Sequence, residues 1–204
     1  MKKILIICVF CIFSCSSDSQ NKICSDSFTI NEKISNLFNL EVNHILLSDY
    51  QETIFFCSLP NNFNEYILYY SKSWKFKNQK IWLSEGYHLQ KYLPRLKKIS
   101  KYKVLNKLFE LGKGGRWDAE VHVLQDIIQS EYAVFITTAI ELLNNKPEKE
   151  ILSFWHFFYD GPHPENCQKD YEELYKRYHK ENPRIAKLMK QSYEKLLENG
   201  CQGH

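Results

Sequence analysis

The chain lacks the short sequence signatures by which many enzymes are recognised. It contains neither G-x-S-x-G nor H-E-x-x-H, and residues 112–115 (GKGG) fall short of the phosphate-loop pattern G-x-x-x-x-G-K-[ST]. We therefore interpret residues 112–115 as a loop, and nothing in the sequence implies a cofactor or a metal. These absences favour a protein that is not an enzyme, although they remove only the readily recognised enzyme classes.

A strong excess of charge is also missing. The chain carries 27 Lys and Arg against 24 Asp and Glu, and removal of Lys2 and Lys3 with the signal described below leaves 25 against 24. Such a balance argues against nucleic acid as the main partner. The charges are unevenly spread, because residues 72–116 hold 13 Lys and Arg but residues 117–166 hold nine acids. One interpretation is that the two stretches face each other or are simply solvated. The other is that the basic stretch binds an acidic protein or anionic lipid head groups.

An unbroken apolar run at the start of the chain is too short to cross a membrane. It covers residues 4–13, whereas a spanning helix needs roughly 20 apolar residues. Lys2 and Lys3 precede the run and the small residue Ser14 follows it, so the three parts of a secretory signal are present. We predict a signal peptide over residues 1–14.

The residues around the end of this signal are Ile12, Phe13, Ser14 and Cys15. They resemble the bacterial lipobox, in which a cysteine directly after a small residue receives diacylglycerol before cleavage. The resemblance implies that Cys15 is the lipidated first residue of the mature protein, anchored in the cell envelope at the outer membrane and facing the periplasm. Ordinary cleavage near residues 14–17 is the alternative. Residues 15–30 then form a lipidated, flexible tether.

Four cysteines remain for the mature domain: Cys24, Cys57, Cys167 and Cys201. An even number in an oxidising compartment favours two disulfides, and no C-x-x-C spacing among these four points to zinc. Cys167 and Cys201 flank two predicted helices that form a hairpin, so we expect these two to pair. By elimination Cys24 pairs with Cys57, unless Cys57 is a buried free thiol and Cys24 is unpaired.

Residues 31–204 are predicted to form one compact, mostly helical domain. Apolar residues three or four apart predict a single long helix over residues 118–143, whose stripe is Trp117, Val121, Leu124, Ile128, Tyr132, Phe135, Ala139 and Leu142. Further helices are predicted over residues 102–111, 151–158, 169–180 and 183–199, the last capped by Asn182 and begun by Pro183. Residues 53–59 could be a strand or a helical turn.

Five polar or aromatic residues form the candidate site: Trp117, Asp118, His122, Asp160 and His163. Asp118 and His122 stand four residues apart on one predicted helical face, a spacing that could hold a metal or orient a base. Asp118 is equally suited to cap that helix. Asp160 begins a turn rich in glycine and proline, which could bring His163 to Asp118 or His122. The alternative is a helix stop with aromatic packing.

Three segments of the chain have a familiar pattern. Residues 60–66 (PNNFNEY), 115–120 (GRWDAE) and 154–164 (FWHFFYDGPHP) resemble a loose group of small bacterial proteins, some of which look like immunity proteins encoded beside antibacterial toxins. The resemblance implies a toxin-binding protein and carries over no catalytic residue. Two other hypotheses remain: an envelope hydrolase that uses Asp118, His122, Asp160 and His163, and a structural envelope lipoprotein.

Overall fold

The computed structural model describes residues 24, 28–43, 47–70, 87–117, 121–161 and 168–198. Within these ranges the chain forms α-helices, one short 3-10 helix and no strand, so the predicted mostly helical single domain is confirmed. Residues 53–59, for which two structures were open, belong to a helix through Ser58. The predicted signal peptide and Cys15 lie outside the described residues. None of the helices that are described has the length and apolar character needed to cross a membrane.

Ten α-helices follow one another along the described ranges. They are α1 Ile30–Asn43, α2 Asp49–Ser58, α3 Phe63–Tyr70, α4 Tyr87–Tyr92, α5 Lys101–Gly112, α6 His122–Val134, α7 Ile136–Asn144, α8 Glu148–Tyr159, α9 Gln168–Glu181 and α10 Pro183–Glu198. The 3-10 helix Leu93–Arg95 follows α4 directly, because Pro94 has no amide hydrogen with which to continue an α-helix.

Side chains just before the helices satisfy the free amides of their first turns. Ser48 caps α2 through a capping box with Gln51, and Ser100 Oγ accepts the Lys103 amide at the start of α5. At α10 the Asn182 side-chain oxygen accepts the amide of Ile185 at 3.1 Å. The predicted cap and first residue of the last helix are therefore confirmed.

The prediction of one continuous helix over residues 118–143 is wrong, because α6 begins only at His122 and the helix is broken further on. The structure has two helices there, α6 and α7, separated at Phe135, whose φ of −105° and ψ of 49° are not helical. Six of the eight stripe residues are nevertheless buried: Val121, Leu124, Ile128, Tyr132, Ala139 and Leu142. Val134 is 64% exposed, so the segment around the break is not enclosed by the core on every side.

The break has a local and a tertiary cause. Branching at Cβ lowers helix propensity, and four such residues surround the break, namely Val134, Ile136, Thr137 and Thr138. At the break the carbonyls of Tyr132 and Ala133 lose the amide donors four residues further along the chain. Side chains of α9 supply donors in their place. The Tyr178 hydroxyl donates to Tyr132 O at 3.1 Å and Arg177 donates to Ala133 O at 2.8 Å. The buried backbone therefore stays hydrogen-bonded across the break.

Helix α8 lies at the centre of the hydrophobic core. Its Phe154, Trp155 and Phe157 side chains have no exposed surface. The Phe154 ring centroid is 4.6 Å from that of Tyr132 on α6, and the Trp155 ring meets Tyr178 on α9 edge to face at 5.3 Å. Helix α10 packs along both α8 and α9. Because α8 is held on several sides, the residues at its end have well-defined positions.

A disulfide joins Cys24 to Cys57, as predicted by elimination. It links the segment ahead of α1 to the buried end of α2 across 33 residues of sequence. The alternative of a free thiol at Cys57 is therefore wrong. Cys167 and Cys201, the other predicted pair, lie outside the described residues.

Ion pairs connect the basic and the acidic stretches of the sequence. Lys101 pairs with Glu131 at 3.2 Å, and Lys113 pairs with Glu150 at 3.1 Å. In the opposite sense, Lys146 of the acidic stretch pairs with Glu110 of the basic one at 2.9 Å. For these residues the interpretation that the two stretches face each other is confirmed.

Candidate partner-binding site at the end of α8

The three segments that share a familiar pattern meet at Phe157. The Phe63 ring, from the first segment, lies 5.4 Å from the Phe157 ring in an edge-to-face arrangement. Gly115, from the second segment, packs against the same ring, and the Trp117 amide donates to Asp160 Oδ2 at 2.7 Å. Residues far apart in sequence therefore form one cluster at the end of α8.

The glycines of residues 112–115 permit this close packing. A Cβ on Gly115 would lie 2.7 Å from Phe157 Cδ2, and one on Gly112 would lie 3.1 Å from Phe154 Cδ2. Gly114 has a φ of +78°, which favours glycine, and its amide donates to Ser153 Oγ at 3.0 Å. The interpretation as a loop is confirmed for residues 113–115, whereas Gly112 is the last residue of α5, and the glycines bring the backbone against α8.

Asn61 connects the first segment to α5, and Glu65 connects it to α1. The Glu65 amide is capped by the Asn62 side chain, and the Glu65 carboxylate accepts the Asn61 amide and Lys33 Nζ of α1, the latter at 3.2 Å. Lys107 of α5 donates to the Asn61 side chain at 3.1 Å. Burial lowers the pKa of Lys107 to about 8, and the positive charge of Lys33 adds to this shift. The segment is thus a helix cap and a buried ion-pair junction.

Two glutamine side chains complete the end of α8. Gln125, which is 7% exposed, donates to the carbonyls of Phe157 and Asp160, and Gln129 donates to the carbonyl of Phe158 at 2.6 Å. The last carbonyls of a helix have no partner within it, so these amides replace the missing donors. Neither residue was predicted from the sequence. The sequence did contain a signal for them: the two glutamines are four residues apart, so they share one face of α6, and Gln125 stands among its apolar residues.

A surface cleft opens beside these glutamines. It has a volume of about 260 Å³ and lies between α6, the end of α8 and α9. Its lining residues are Gln129, Ala133, Phe158, Tyr159, Asp170, Glu173, Leu174 and Arg177. Apolar surface beside placed polar groups is typical of a binding site.

The structure locates three of the five predicted site residues. Trp117 and Asp160 are half-buried and joined by the hydrogen bond described above, and His122 is half-buried at the first position of α6. Asp118 and His163 lie outside the described residues, so the hydrolase hypothesis stays a prediction. Arg116, which was not predicted, is exposed beside Trp117. Among the described residues no three His, Cys, Asp or Glu side chains are grouped so that they could hold a metal ion.

No protein-family model, no curated protein and no solved structure matches the chain.

Proposed function

We propose that the chain is an envelope-anchored lipoprotein that acts as a protein-binding module, and within that class an immunity protein that neutralises an antibacterial toxin. In this proposal the lipid on Cys15 holds the domain at the outer membrane, facing the periplasm. A toxin that acts on the envelope arrives in that compartment. The end of α8 supplies the surface that binds it.

One observation carries the proposal. The three segments that resemble immunity-type proteins meet at Phe157, and a hydrogen bond joins the half-buried Trp117 and Asp160 of the second and third segments. A helical core fixes this cluster from beneath, so the surface is held in one arrangement before a partner binds. Such preorganisation lowers the entropic cost of association. The cleft next to the cluster supports the proposal further.

The proposal predicts that the protein forms a complex with a toxin encoded by an adjacent gene. Co-expression of the two should protect the cell from killing, and the two should purify together. Arg116→Glu should weaken this complex about tenfold, because it reverses an exposed charge beside the cluster. Binding is measured by titration of the purified protein against the toxin.

Lys187→Glu is the matched control for this experiment, since Lys187 is an exposed cation on α10. It changes the net charge of the protein as Arg116→Glu does, but it should leave the affinity unchanged. Absence of protection and of a complex with every neighbouring-gene product contradicts the proposed function. An equal loss of affinity in both variants contradicts the location of the surface.

The lipid anchor is tested separately by Cys15→Ser. This variant should lose all labelling by radioactive palmitate and should move to the aqueous phase in detergent partition, because serine has no thiol to accept the diacylglycerol. Cys11→Ser is the control and should keep full labelling. Palmitate labelling that persists in Cys15→Ser shows that the lipid is attached elsewhere.

A further inference from the structure

The cleft beside α8 combines an apolar floor with carboxylates at its rim. Phe158 and Leu174 form the floor and are only 3% and 7% exposed. Asp170 and Glu173 line the cleft from α9, and within the described residues neither carboxylate takes part in an ion pair or hydrogen bond. Two negative charges are therefore available above a hydrophobic surface.

The other polar groups of the cleft favour a ligand that donates hydrogen bonds. Gln129 uses its amide nitrogen on the carbonyl of Phe158, which leaves its side-chain oxygen as an acceptor. The cation in the lining, Arg177, donates to Ala133 O at 2.8 Å and so holds its guanidinium toward the end of α6. The acceptors of the cleft are thus the Gln129 oxygen and the two carboxylates, whose two negative charges exceed the single positive charge of Arg177.

We propose that this cleft binds a lysine or arginine side chain presented by the protein partner. The aliphatic stem of such a side chain would lie on Phe158 and Leu174, and its charged head would reach Asp170 and Glu173. The inference rests on the proposed function for its partner, which is a protein, and adds the chemistry by which that partner is recognised. A volume of about 260 Å³ is suited to one long side chain.

The cleft is tested without any toxin by titration of the isotope-labelled full chain with N-acetyl-arginine amide and N-acetyl-lysine amide. Backbone NMR signals of Gln129, Ala133 and Leu174 should shift in a saturable manner. N-acetyl-norleucine amide and N-acetyl-glutamate amide should bind at least tenfold more weakly, because the first lacks the charge and the second reverses it. Binding should weaken with added salt, since the two carboxylates are exposed.

Variants of α9 identify the groups responsible. Asp170→Asn combined with Glu173→Gln preserves shape, removes both charges and should weaken the binding of the arginine amide at least tenfold. Glu172→Gln is the control, because Glu172 lies in the same part of α9 and outside the cleft, where it accepts from Gln168. This control should bind as the parent protein does. The folded state of each variant is confirmed by its thermal unfolding.

Three results overturn the inference: equal binding of the norleucine amide, tighter binding of the glutamate amide, or unchanged arginine binding in the double variant. A toxin complex that forms equally well with the double variant also overturns it, although the proposed function then stands. If the arginine amide binds at the cleft but no toxin complex forms, the inference about the cleft is supported and the proposed function is contradicted.

Discussion

Glu65→Gln should lower the free energy of unfolding by about 3–5 kcal/mol, which is the usual cost of removing one partner from a buried ion pair. The variant keeps the shape of the side chain but leaves Lys33 Nζ without its counter-charge. The side chains of Lys33 and Glu65 are only 7% and 15% exposed, so water does not replace the lost partner well. Lys107 lies in the same cluster and adds a second positive charge.

Urea unfolding of the parent and the variant measures this effect. Asp49→Asn is the matched control, because Asp49 pairs with Lys98 at 3.0 Å on the surface, where their side chains are 72% and 59% exposed. Asp49→Asn should lower the free energy of unfolding by no more than about 1 kcal/mol, as is usual for exposed ion pairs. Equal losses in Glu65→Gln and Asp49→Asn contradict the view that the Lys33 pair is a structural junction.

The double variant Lys33→Met with Glu65→Gln tests whether the cost of Glu65→Gln comes from the unpaired charge of Lys33. Removal of both charges avoids an uncompensated buried cation, so the double variant should be more stable than Glu65→Gln alone. A double variant that is less stable than the single variant means that Lys33 stabilises the fold through contacts other than its ion pair, because both variants carry the same change at Glu65.

The helical fold could be predicted from the sequence because hydrophobic spacing is a local property. The buried positions Val121, Leu124 and Ile128 followed from it, as did the cap at Asn182. The break at Phe135 did not follow, because the β-branched residues around it only lower helix propensity, and whether the helix breaks also depends on contacts with α9. Only the tertiary hydrogen bonds from Arg177 and Tyr178 satisfy the carbonyls that the break exposes.

The candidate site was predictable only in part, for a related reason. Trp117 and Asp160 stood out by residue type, and the structure joins them by a hydrogen bond. Their approach depends on Gly115, whose packing against Phe157 brings two distant segments together. The cleft could not be predicted at all, because its floor comes from α8 and α9 and its rim from α6 and α9. No spacing within one segment encodes such a surface.

Acidification should destabilise the protein through His88. This residue is 4% exposed, its Nε2 lies 2.7 Å from the Tyr70 hydroxyl, and its Nδ1 has no hydrogen-bond partner among the described residues. Burial lowers the pKa of His88 to about 3. The neutral ring is therefore the form that the folded protein keeps, while the unfolded chain takes up a proton near the ordinary histidine pKa of about 6.5.

The direction of the effect follows from these two pKa values. Between them the unfolded state binds one more proton, so the stability contributed by neutral His88 is complete above the unfolded pKa and is lost as the pH falls toward the folded one. The slope is about 1.4 kcal/mol per pH unit, which amounts to roughly 3 kcal/mol at about pH 4. Urea unfolding measured at a series of pH values gives this slope.

His88→Gln should remove that part of the pH dependence, because glutamine offers a hydrogen-bonding group of similar reach that does not titrate. The variant and the parent should therefore differ by a free energy that changes with pH below about 6.5 and is constant above it. His179→Gln is the control, since His179 is exposed on α9, and its pH profile should match that of the parent. Carboxylates that titrate in the same acid range contribute equally to all three proteins and cancel in the comparison. If His88→Gln and the parent lose stability in parallel from neutral to acid pH, then the buried imidazole is not the group that makes the fold sensitive to acid.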